Sequence, residues 1–175
     1  MHALDLPRRY RTIAVCGGFG LGGRREHDVE SLRRIHDHLE PGGSLVLDNE
    51  VPYAPGLPWR YWQEEARREL PRPWREPGER RRAADGSEYA LVSRLVDVDP
   101  LTQQMVMEMR AFRWRDDELV AEEEHRIELM LYFTPELVSM LERAGFVDVE
   151  VRGGYHDDAP ARTDDFVVLA ARKPA

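Results

Sequence analysis

The sequence predicts an α/β fold that carries an added antiparallel meander. Three stretches of its 175 residues carry this reading. Residues 12–50 read as strand, glycine-rich loop, helix, Pro-Gly-Gly and strand, a βαβ unit whose parallel strands need a right-handed crossover. Residues 88–133 read as three strands joined by short turns, which is hairpin chemistry. Residues 134–172 read as a helix followed by two strands.

The elements follow in order. Ile13, Ala14 and Val15 lie in an apolar, β-branched run over 12–16, which ends in Gly17, Gly18, Phe19, Gly20, Leu21, Gly22 and Gly23. That is a buried strand and a loop where backbone conformation is cheap. Over 26–39, Val29, Leu32, Ile35, His36 and Leu39 recur at helical spacing, with Asp28 and Glu30 at the end of the helix that favours negative charge. Pro41-Gly42-Gly43 stops this helix, and Leu45-Val46-Leu47 forms a second buried strand that ends at Asp48-Asn49-Glu50. Pro52, Pro55, Pro58, Pro71, Pro73 and Pro77 mark an irregular loop with one helix over 59–70. In the meander, Met105, Met107 and Met109 share one side and read as core. Thr134 is placed as N-cap and Pro135 as first helical residue of the next helix, which Gly145 ends. Strands over 146–151 and 165–172 close the chain, and the whole reads as a single domain.

Composition narrows the function classes. The chain is 42% hydrophobic, which suits a packed core, and no apolar run approaches the ~18–20 residues of a membrane span. A net charge of −8 argues against a nucleic-acid partner. Cys16 is the only cysteine, which fits a reducing compartment and a cytoplasmic location and excludes a cysteine-rich metal site. Arg80-Arg81-Arg82 reads as a solvated charge run.

Certain segments carry a resemblance. Leu39-Glu40-Pro41-Gly42-Gly43-Ser44-Leu45-Val46-Leu47 resembles the segment leading into strand five of class I S-adenosylmethionine-dependent methyltransferases. Leu141-Glu142-Arg143-Ala144-Gly145-Phe146-Val147-Asp148-Val149 resembles the segment leading into strand six, and Phe133-Thr134-Pro135-Glu136-Leu137 the entry to the preceding helix. The order of these segments covers nearly the whole chain.

The resemblance implies the C-terminal portion of a Rossmann-like sheet, with strand order 4-5-7-6 in family labels and the cofactor at the C-terminal ends of the strands. It implies S-adenosylmethionine as cofactor, touched by Cys16, Gly17, Gly18 and Phe19, and a small-molecule methyl acceptor. Candidate acid–base residues are Asn49, Glu50 and Tyr53 after strand five, with His27 and His125 as alternatives. The meander and residues 59–74 would cover the acceptor. The family's earlier glycine turn and ribose-binding acid match nothing before residue 12, so the chain reads as truncated at its N-terminus. The strand over 12–16 then becomes an open edge, which implies a homodimer with Ile13 and Val15 at the interface. A second reading is a non-catalytic binding domain built on the same fold. No metal is expected; His125 with Glu122, Glu123 and Glu124, and His156 with Asp157 and Asp158, read as solvated.

Overall fold

A computed structural model describes residues 1–54 and 58–175. Pro55 of the proline-marked loop lies outside the described residues. The chain divides into two compact units, one formed by Met1–Trp59 with Met130–Ala175, the other by Arg60–Leu129.

The first unit holds strands β1 (Tyr10–Val15) and β2 (Leu39–Glu50), joined by helix α1 (Arg25–His38). β1 runs parallel to β2, with Thr12 opposite Ser44 and Val15 opposite Leu47. Their register shifts between Tyr10 and Thr12, because Tyr10 lies opposite Leu39 while Thr12 lies opposite Ser44. The expected Pro-Gly-Gly stop is therefore a bulge inside one long strand and not a loop before a short one. The later strands of this unit, Val147–Gly153 and Phe166–Arg172, complete the order β1, β2, Phe166–Arg172, Val147–Gly153. Phe166–Arg172 is antiparallel to both its neighbours. This is the 4-5-7-6 order that the family resemblance implies.

Periodicity explains the core. On β2, Leu45 and Leu47 alternate with half-buried Ser44 and Val46, and both leucines are fully buried. They meet Leu32 and Ile35 of α1, together with Leu137 and Leu141 of a second long helix, Thr134–Arg143. Its N-cap is Phe133, and Thr134 is already helical, one residue earlier than the sequence suggested. Gly145 ends it as expected, with the Phe146 N–H returning to the Leu141 carbonyl. Lys173, the single lysine, caps the other end of the packing. Its ammonium donates to the carbonyls of His36 and Leu39 at 2.8 and 3.0 Å, where α1 leaves its last acceptors unpaired.

The second unit is a sheet of hydrogen-bonded neighbours. In chain order its strands are β3 (Arg81–Arg82), β4 (Glu88–Asp99), β5 (Gln104–Arg115) and β6 (Glu118–Met130), which is also their order in the sheet. The β5–β6 turn is Asp116-Asp117, both at positive φ, which suits a tight two-residue hairpin. The region expected as one helix over 59–70 is instead a 3₁₀ turn, Pro58–Trp62, and a single α turn, α2 (Glu64–Arg67). Pro71 lies just beyond and offers no amide to continue a helix. The methionine stripe is only partly core. Met105 is buried but so is Val106 beside it, while Met107 and Met109 are only half-buried. Arg80 is not simply solvated; its guanidinium stacks on Trp114 at 4.2 Å and pairs with Glu88 and Asp117. The helix Thr134–Arg143 and the strands Val147–Gly153 and Phe166–Arg172 are hereafter α3, β7 and β8.

Candidate functional site

The parallel strands β1 and β2 end side by side, which places the residues after Val15 next to Asp48, Asn49 and Glu50. Open α/β sheets bind ligands at such strand ends. Cys16 is exposed there. The Gly17 N–H donates to Asp48 Oδ1 at 2.6 Å, and the Tyr155 hydroxyl donates to Asp48 Oδ2. Tyr155 follows β7 and packs against the Phe166 ring, yet it remains 61% exposed. The hydrogen bond to Asp48 is the main cause that holds the phenol proton on and raises its pKa well above the ordinary tyrosine value.

The glycine run has an open part and a closed part. A side chain built on Gly17 would meet nothing within 4 Å, and Gly18 touches only Cys16 and Val15 at the outer limit of contact. A ligand can approach the backbone closely at these two positions. Gly20 is the reverse. It is buried at φ +84, and a Cβ there would stand 2.7 Å from the Met130 carbonyl oxygen. The Gly20 carbonyl accepts the Met130 N–H at 2.9 Å, which anchors the loop.

Beneath this anchor lies a buried polar network. Tyr132 donates its hydroxyl to Asp28 Oδ2 at 2.7 Å, across 104 residues of sequence. Asp28 is 3% exposed. Burial raises its carboxyl pKa, while the Tyr132 hydroxyl, the Gly20 amide and the Arg25 charge oppose the rise. Arg25 sits over the Tyr132 ring at 5.0 Å and pairs with Glu136 of α3. Asn49 donates its side-chain amide to the Tyr132 carbonyl at 2.9 Å.

The predicted site residues thus separate. Cys16, Gly17 and Gly18 line the open strand ends. Phe19 does not join them, since its ring packs on Tyr132 at 5.5 Å and against the core. Asn49 is engaged in holding Tyr132, which gives it a structural task. Glu50 and Tyr53 are exposed. His27 stacks on His2 with ring centroids 3.8 Å apart. His125 lies on β6 in the second unit, exposed and beside Glu123. Among the described residues, no group of three or more His, Cys, Asp or Glu side chains is placed to hold a metal ion. Asp48, Tyr155, Asp28 and Tyr132 were not singled out by sequence reasoning. Asp48 alone carried a usable signal, a carboxylate closing an apolar strand.

Comparison with solved structures bears on the fold. A S-adenosylmethionine-dependent methyltransferase from Clostridium acetobutylicum matches 99% of this chain with a TM-score of 0.70 at 13% identity. The chain has the fold of the class I S-adenosylmethionine-dependent methyltransferases. The CcbJ methyltransferase from Streptomyces caelestis matches 99% of the chain at 20% identity and a TM-score of 0.63. CalS10, an amino pentose methyltransferase from Micromonospora echinaspora, matches 98% at 18% identity and a TM-score of 0.61. The methyltransferase-fold chain spans 62%, 61% and 62% of these three structures' own lengths, respectively. No protein-family model matches it, and no curated protein matches it in sequence. None of its described helices is long and apolar enough to cross a membrane.

Proposed function

We propose that the chain takes part in methyl transfer from S-adenosylmethionine to a small-molecule nucleophile, in the cytoplasm. The observation that carries this reading is the pair of adjacent parallel strand ends with an open glycine backbone at Gly17 and Gly18. When bound, the cofactor supplies an electrophilic methyl group on a sulfonium. Cys16, Gly17 and Gly18 would border it, and Phe19 would fix the loop from below. In-line displacement gains mostly from alignment, so a rigid, anchored loop is the useful contribution of the protein. The test is turnover of methyl-labelled cofactor in the presence of fractionated small molecules. Label transfer that is lost in Gly17→Val supports the reading, and transfer indifferent to that change refutes it. A non-catalytic binding domain is the second reading; ligand binding at these strand ends without any label transfer would favour it.

We infer further that the free edge of β1 pairs with a second copy of the chain. Among the described residues β1 has a neighbour on one side only, and Arg11, Thr12 and Ala14 are exposed. Ile13 and Val15, expected at the interface, pack on the core, so the partner would meet the backbone edge and not these side chains. Unpaired strand edges template further pairing, and lysine blunts them. Sedimentation should give a dimer at micromolar concentration and a monomer for Ala14→Lys. A monomeric wild-type chain, or a dimer unchanged by that substitution, would refute the inference.

A further inference from the structure

We propose that Asp48 and Tyr155 form a subsite for an organic ammonium or amine, the nitrogen-bearing part of the acceptor. This rests on the methyl-transfer reading above and names the acceptor class for it. Asp48 presents a carboxylate at the ends of the parallel strands, half-buried against the sheet. It accepts one backbone N–H from Gly17 and one hydroxyl from Tyr155. A carboxylate offers about four lone-pair directions, so two acceptor sites stay open. Among the described residues no arginine, lysine or histidine lies within 4.0 Å of it to form an ion pair. Arg152, on β7 from which Tyr155 follows, is already committed to Glu150 and Asp157. An anionic acceptor with spare lone pairs and no internal cation is matched by an N–H-bearing cation. Tyr155 supplies a flat aromatic surface beside it, supported by Phe166, on which the carbon skeleton of an amine can rest. A carboxylate ligand is disfavoured at the same place by like charge.

The Gly17 amide reports directly on Asp48, so amide chemical shifts of the isotopically labelled chain test the proposal without any turnover. The probes are propylammonium chloride, sodium propionate at matched ionic strength, and S-adenosylhomocysteine. Propylammonium should move the Gly17 amide saturably in the wild-type chain and not in Asp48→Asn, while propionate moves neither. Tyr155→Phe frees an Asp48 lone pair but removes no charge, so saturation should persist there. This keeps the test open should Asp48→Asn fail to fold. No saturable response to propylammonium, or an equal one in Asp48→Asn, overturns the proposal. S-adenosylhomocysteine should move the amides of Cys16, Gly17 and Gly18 in both chains. If that response disappears in Asp48→Asn, the carboxylate holds the cofactor's own ammonium and the acceptor assignment is overturned. If propylammonium binds through Asp48 while S-adenosylhomocysteine leaves all three amides unmoved, the ammonium subsite is supported and the methyl-transfer reading fails separately.

Discussion

Gly20→Ala should destabilise the chain by about 2–4 kcal/mol, the sum of a left-handed backbone penalty and a forced contact. Gly20 has φ +84, and its new methyl group would sit 2.7 Å from the Met130 carbonyl oxygen. Backbone cannot yield there cheaply, because Met130 also donates its N–H to the Gly20 carbonyl at 2.9 Å. Gly17→Ala is the matched control. It has φ +60 but open space around it, so only the backbone penalty of about 1–2 kcal/mol applies. Urea unfolding of the two variants measures the difference. Equal midpoints would show that the loop is not anchored on Met130.

Tyr132→Phe should cost about 1.5–3 kcal/mol at neutral pH, the range for a hydrogen bond to a charged group. The pH dependence gives the stronger test. Burial already raises the Asp28 carboxyl pKa in the folded chain, so the native state holds that proton more tightly than the unfolded chain does. The resulting stability is full below the unfolded carboxyl value and is lost as pH rises through the folded value. Removing the Tyr132 hydroxyl takes away a donor to the ionised form and raises the folded value further. The deficit of the variant should therefore be small in acid and widen as pH rises toward neutrality. A deficit constant across that window would mean that Asp28 does not ionise against Tyr132.

The two examples show which layers of structure a sequence displays. The strand through Leu45 and Leu47 and the helix that Pro135 opens and Gly145 ends were legible from alternation and breaker residues, whereas the strand order came from the family resemblance. Hairpins were legible because Asp116-Asp117 and Asp99-Pro100 are turn residues between alternating runs. The proline-marked stretch misled in part, since the single helix expected over 59–70 is a 3₁₀ turn and one α turn that stops before Pro71. At the site, Cys16, Gly17 and Gly18 stood out as small residues after an apolar strand. Asp28 did not, because an acid in the first turn of a helix is explained by the helix dipole alone. Its burial depends on Tyr132, which is remote in sequence. Tyr155 lay in a polar loop with no periodic pattern, and only the fold brings it to Asp48.

The central claim is that the open strand ends at Cys16, Gly17 and Gly18 receive the cofactor. Calorimetric titration of the chain with S-adenosylhomocysteine tests it most directly, alongside Gly17→Val, whose side chain would project into the open space. The account predicts saturable binding by the wild-type chain and its loss in the variant. Absence of binding up to millimolar ligand, or unchanged affinity in Gly17→Val, would contradict it.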